Sequence, residues 1–148
     1  RQVNSRQLKL SDYADIFTRK KFETCSERTF ALIKPDCYTH TGKIIDAICA
    51  SGFKISKLKM SKFSEKSHAD ALYEQHKGKP FYSDLAAFMA SDVTTGMELV
   101  SDSAVSKFRD ILGPTDAAAA KTEAPNSLRA AFGTDVLRNA LHGSATAA

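Results

Sequence analysis

The stretch ERTFALIKPD, residues 27–36, decides how this chain is read. Its apolar centre is rich enough for a buried strand, and Pro35 with Asp36 stops that strand, so Lys34 falls at its carboxyl end. Open α/β folds place ligand groups at that end. Lys34 is therefore the first candidate site residue. Immediately downstream, TGKIIDAICASGF (residues 41–53) sets Ile44, Ile45, Ile48 and Cys49 on one helical face, with Gly52 as the stop. KISKLKMSKF (54–63) then alternates Ile55, Leu58 and Met60 as a half-exposed strand does. Residues 27–63 are thus a strand–helix–strand unit.

Farther out, SEKSHADALYEQH (64–76) reads as a helix capped by Ser64, and PFYSDLAAFMAS (80–91) as a second helix opened by Pro80 over Phe81, Leu85, Phe88 and Met89. VTTGMELV (93–100) is a third strand. SDSAVSKFRDILG (101–113) is a helix started by a Ser or Asp cap and ended by Gly113. PTDAAAAKTEAP (114–125), with proline at both ends, reads as an irregular surface loop, NSLRAAFG (126–133) as a short helical turn, and VLRNALHG (136–143) as the final strand. This order predicts an α/β fold of the α+β sandwich kind, with helices over a small, mostly antiparallel sheet.

Residues 1–26 read as an extension, the tail of an upstream module and a linker, and residues 27–148 as the domain proper. A chain of 148 residues suits one such domain. Apolar runs such as FALI fall far short of the ~20 residues of a membrane span, and the first residues lack the apolar core of a signal peptide, so the expected location is cytoplasmic. Cys25, Cys37 and Cys49 are too few and too far apart for a disulfide framework or a paired metal site, and read as reduced thiols. Residues 1–66 hold 14 Lys and Arg against 7 Asp and Glu, whereas residues 67–148 hold 7 against 10. A basic half of this kind suits an anionic partner, but a nucleic-acid reading would rest on charge alone.

Two phosphate-binding motifs are excluded. HTGKII (40–45) has no glycine at the Walker spacing before Gly42, and Ile44 stands where a magnesium-holding Ser or Thr belongs; a GxGxxG is absent too. His40, His68 and His76 have no acid or cysteine at zinc-ligand spacing. His142, between Asn139 and a Gly-Ser pair, gains weight from its company. Lys34, Tyr73, Arg109, Thr115, Arg129 and Asn139 are the cations and polar groups that phosphoryl transfer requires, because its transition state spreads negative charge over equatorial oxygens. Taken singly, each has a plainer role as a solvated charge, a packed aromatic or a strand-end lysine.

ERTFALIKPD, GKIID, GF, KPFY, LGPT, LRAAFGTD and RNALHGS occur in the order and approximate spacing of the nucleoside diphosphate kinase family, and the last resembles that family's Asn-x-x-His-Gly-Ser signature. The resemblance covers residues 27–148. It implies a ferredoxin-like fold with a four-stranded, mostly antiparallel sheet covered by helices. It implies also that His142 is phosphorylated through Nδ1 by a nucleoside triphosphate and passes the group to a diphosphate in a ping-pong cycle. By the same resemblance, Lys34, Arg109 and Arg129 contact phosphates, Thr115 offers them a hydroxyl, and Tyr73 lies near the reacting group. Phe81 and Val136 clamp the base, Asn139 and Lys34 meet the sugar, Ser144 orients the histidine, and Mg2+ rides mainly on the nucleotide's own phosphates.

The extension resembles the tail of the module preceding the first kinase domain in a ciliary, two-kinase-domain member. That likeness implies a piece of a longer cytoskeletal protein of the cilium or flagellum axoneme, with tubulin and other axonemal proteins as partners and no membrane. An architectural, microtubule-associated module with little turnover is the alternative. The family's glutamate after the histidine has no counterpart, since GSATAA (143–148) holds no acid, and the family's aspartate after HGS is Ala145 here. The domain therefore reads as incomplete at its carboxyl end. The long 114–129 segment argues against the family's hexamer and for a pairing with a second kinase domain.

Overall fold

A computed structural model of the chain describes residues 27–63, 73–74 and 77–147. Strand β1 (Glu27–Ile33) runs into a 3-10 segment (Pro35–His40), helix α1 (Thr41–Ala50) and strand β2 (Lys54–Lys62). Helix α2 (Tyr82–Met89), strand β3 (Val93–Ser101), helices α3 (Ala104–Leu112), α4 (Ala117–Glu123) and α5 (Leu128–Phe132), and strand β4 (Leu141–Gly143) complete the described elements. The sheet order is β2-β3-β1-β4, and every pairing is antiparallel. Because β3 lies between β1 and β2, the first three elements form a split βαβ unit, and the fold is ferredoxin-like.

Both faces of β1 are buried, which is why its sequence reads as one apolar run rather than an alternation. Successive side chains point to opposite sides of a strand. Ala31 and Ile33 enter a core with Ile44 and Ile48 of α1, Phe108 and Leu112 of α3, and Met97 and Leu99 of β3. Leu32 enters a second core with Tyr73, Leu85, Ala86 and Met89. Strand β2 is an edge with a register irregularity between Ile55 and Lys57, and Leu58 and Met60 remain 47% exposed, in keeping with the half-exposed reading. Gly52, at φ +89°, ends α1 in the left-handed conformation that glycine adopts without strain.

Four expectations are corrected. Residues 114–125 are not wholly irregular: Ala117–Glu123 is helical, because Asp116 caps it by accepting the Ala118 amide at 3.0 Å and four alanines, the best helix formers, follow. Its Ala117 and Ala120 are buried, so packing supports what the flanking prolines obscure. The serine at the amino end of helix α3, Ser103, does not cap it with its side chain. Ser103 is left-handed at φ 54°, and the Val105 amide donates instead to Glu27 Oε2 at 3.0 Å, from the start of β1. Cys49 is exposed, because the buried stripe of α1 consists of Ile44 and Ile48 alone. The final strand is shorter than residues 136–143, because the approach to it is spent on a tight turn. The helix read over 64–76, with Ser64, His68 and His76, lies outside the described residues apart from Tyr73 and Glu74, as does the 1–26 extension with Cys25. Among the described residues no helix is long and apolar enough to cross a membrane.

Candidate active site

β1 and β4 lie side by side, pairing Leu32 with His142 and Ile33 with Leu141, so the carboxyl end of β1 sits beside the residues leading into the histidine strand. This pairing sets residue 34 against residue 140, two before His142, and so joins segments from opposite ends of the domain. β4 also packs tightly beneath α3: a Cβ built on Gly143 would come within 2.8 Å of Leu112 Cδ1 and Phe108 Cδ1. Glycine follows the histidine because the helix leaves no room for a side chain.

Lys34 is 6% exposed, and its Nζ donates to Asn139 Oδ1 at 2.7 Å and to the Leu137 carbonyl at 3.3 Å. Burial lowers its pKa to about 8, with Asp36 opposing the shift and Arg129 adding to it. The group is still mostly protonated at neutral pH. Asn139 relays the contact, its Nδ2 donating to the Thr115 carbonyl at 2.9 Å. Lys34, Asn139 and Thr115 are therefore one connected set drawn from three separate parts of the sequence.

Arg129, on α5, spans the gap between the α3 terminus and β4. Its Nη1 donates to the Gly113 carbonyl at 2.9 Å and its Nη2 to the Leu141 carbonyl at 3.1 Å, one residue before His142. Its buried Nε has no acceptor among the described residues. Burial, then the nearby charge of Arg109, lowers the pKa of Arg129, while Tyr73 opposes them. That coupling places Arg109 and Tyr73 in the same electrostatic neighbourhood. The Tyr73 ring meets the His142 imidazole edge-on, with centroids 5.7 Å apart and planes at 76°. Its hydroxyl reaches Met89 sulfur at 3.8 Å, and burial pushes its pKa up to about 12, so the phenol stays neutral and remains a hydrogen-bond donor.

Phe81 and Val136 are surface residues, 50% and 61% exposed. Phe81 immediately precedes α2, with Lys79 Nζ 5.8 Å from its ring centre. Val136 tops a turn built by Asp135, whose Oδ1 accepts the Leu137 and Arg138 amides at 2.9 and 2.6 Å. Large apolar groups left in water this way suit stacking on a flat ligand. Ser144 is fixed by its amide, which donates to the Phe30 carbonyl at 3.1 Å. A shallow depression of about 590 Å³ beside α3, lined by Glu27, Ser103, Val105, Ser106 and Ala147, shares only Arg109 with this constellation.

Sequence reasoning missed Asp36, which it used only as a strand stop. The side chain is partly buried, and its Oδ2 accepts the Ala140 amide at 3.1 Å. An acid directly after the proline that ends β1 was the available signal. The described residues contain no cluster of three His, Cys, Asp or Glu able to hold a metal ion.

The nucleoside diphosphate kinase family model matches residues 27–148. Nucleoside diphosphate kinase homolog 7 of Rattus norvegicus is 45% identical over 97% of this chain, which spans 36% of that relative's length. The nucleoside diphosphate kinase of Aquifex aeolicus is 41% identical over 80% of the chain and 84% of its own length. A crystal structure of the Aquifex aeolicus enzyme superposes with a TM-score of 0.77 at 40% identity, over 81% of this chain and 86% of that one. The Halobacterium salinarum enzyme in complex with CDP gives 0.73 at 31%, over 80% and 76%. With the family pattern spanning every described element from β1 to β4, the chain belongs to the nucleoside diphosphate kinase family.

Proposed function

We propose that the domain moves the γ-phosphoryl group of a nucleoside triphosphate to a nucleoside diphosphate by way of His142. The observation that carries this reading is the placement of one imidazole, edge-on to a neutral Tyr73, one residue from the carbonyl that Arg129 grips, on the strand paired with the end of β1. In the first half-reaction the Nδ1 lone pair attacks the γ-phosphorus, the bond to the β,γ-bridging oxygen breaks, and the diphosphate leaves with that electron pair. The imidazole must be neutral to attack. In the second half, a terminal oxygen of the incoming diphosphate attacks the same phosphorus and the imidazole is released.

Lys34, Arg109 and Arg129 would hold the phosphates, with the Thr115 hydroxyl and the Tyr73 phenol as further donors and Ser144 orienting the imidazole. Cations at fixed positions in a partly dry site stabilise the spread charge of the transition state without reorganisation. Phe81 and Val136 would grip the base by its face and leave its edges unread, so nucleotides of every base should serve. Asn139 would meet the sugar. The donor set suits Mg2+ carried on the nucleotide rather than in a protein cage, because Asp36 and Asp135 are engaged by the Ala140 amide and by Arg138. When bound, the ion would neutralise charge on the β and γ oxygens.

Labelled ATP should give acid-labile phosphohistidine in the wild-type chain and none in H142A, and the label should chase into GTP on addition of GDP. Label in H142A, or none in folded wild type, overturns the reading. A second reading, an architectural role on axonemal microtubules within a longer ciliary protein, is favoured by β2, an edge strand with exposed Lys57, Lys59 and Lys62 that would meet an acidic surface such as tubulin's. Failure of the full-length protein to co-sediment with microtubules removes it.

A further inference from the structure

The residue before the histidine strand is in an unusual conformation. Ala140 is fully buried with φ +71°, and the Leu141 amide donates back to the Asn139 carbonyl at 2.9 Å, which closes a three-residue turn around it. A γ-turn with positive φ is the rare, strained hand, and alanine, unlike glycine, resists it. Left untethered, this peptide would relax and swing the two residues that follow, the second of which is His142.

Both tethers come from the segment that ends β1. The Ala140 carbonyl accepts the Lys34 amide at 2.9 Å, and the Ala140 amide donates to Asp36 Oδ2 at 3.1 Å. Pro35, between them, fixes the backbone offset from one tether to the other. Asp36 is braced in turn. The Cys37 thiol lies 3.7 Å from the same oxygen and donates to the Phe132 carbonyl at 3.4 Å. Asp36 Oδ1 is buried with no donor among the described residues, so the carboxyl is held by one oxygen in a site that penalises its charge. Packing alone gives no reason for an acid there.

We propose that Asp36 is a positioning residue for His142: by holding the Ala140 amide it locks the strained turn that sets where the imidazole is presented. The inference rests on the reading of His142 as the phosphoryl carrier. It assigns no contact between Asp36 and substrate.

The test uses the full chain and its D36A, D36N and D36A/A140G variants. In D36A the rate of phosphohistidine formation from ATP should fall about 10-fold with KM changed less than about 2-fold, because the turn rather than the nucleotide contacts is disturbed. D36N keeps an acceptor oxygen and should recover most of the loss. D36A/A140G should recover it too, since glycine holds a positive φ without a tether. With 15N-alanine labelling, the Ala140 amide proton should move upfield in D36A as its hydrogen bond to Asp36 is lost. A wild-type rate in D36A with an unmoved Ala140 resonance overturns the inference, and so does a loss that A140G fails to restore in folded protein. If wild type itself never labels His142, the functional reading fails separately, and the Ala140 resonance still decides whether Asp36 holds the turn.

Discussion

Replacing Lys34 with methionine should remove phosphotransfer and at the same time make stability respond differently to alkaline pH. Burial draws the ammonium from an ordinary 10.5 down to about 8 in the folded chain. The unfolded chain therefore holds this proton more tightly than the folded one, and stability rises with pH as the group titrates between the two values. Linkage over that interval gives the wild type about 2.5 kcal/mol relative to K34M on going from pH 7 to pH 10. With a urea m-value of roughly 2 to 2.5 kcal/mol per molar, the denaturation midpoint of wild type should gain about 1 M over K34M across that range. Cys37 and Tyr73, both pushed up to about 12, lower stability at the alkaline end, but neither shift is driven by Lys34, so the two proteins share that loss. Urea titrations at pH 7, 8, 9 and 10 measure the difference directly. A difference constant within about 0.5 kcal/mol refutes the reasoning, for it would mean that Nζ is solvated and the hydrogen bonds to Asn139 and Leu137 are not made in water-poor surroundings.

Arg129→Ala should cost about 2 kcal/mol in chemical denaturation, because the Gly113 and Leu141 carbonyls both lose their donor, and should depress phosphohistidine labelling. Gly143→Ala should destabilise by about 1–3 kcal/mol, as the methyl group collides with Phe108 and Leu112, and should slow labelling by shifting His142; an unchanged midpoint would show that α3 gives way freely. Phe81→Ala should raise KM about 10-fold for purine and pyrimidine nucleotides alike while leaving Tm nearly unchanged, since the ring is half exposed; steady-state kinetics with ATP and CTP decide it.

Much of the fold was legible because its signals are local. The apolar run of β1, the spacing of Ile44 and Ile48, and Gly52 beyond them each depend on neighbours within a few residues, and each appears where it was expected. Helix α4 is obscured in the sequence because the two prolines outside it signal a loop, whereas the four alanines and the aspartate cap within it gain their helix only with the packing of Ala117 and Ala120. The cap of α3 escaped because its acceptor, Glu27, lies 78 residues before the amide it satisfies. Of the site, the types and order of the residues were visible, and their proposed roles are those the family resemblance implies. Their contacts were not. Lys34 reaches Asn139 across 105 residues, and Asp36 reaches Ala140 across 104.

The sequence by itself determined the family, the order of the strands, and the residue types available for phosphate chemistry, because composition, periodicity and motif order are properties of the chain as a string. Only the tertiary structure decided that Lys34 is a buried cation with a lowered pKa, that Arg129 ties α3 to β4, and that a strained Ala140 is held by Asp36. Each of these depends on which groups lose water and which partners replace it. That is settled when β4 pairs with β1 and brings the two ends of the domain together.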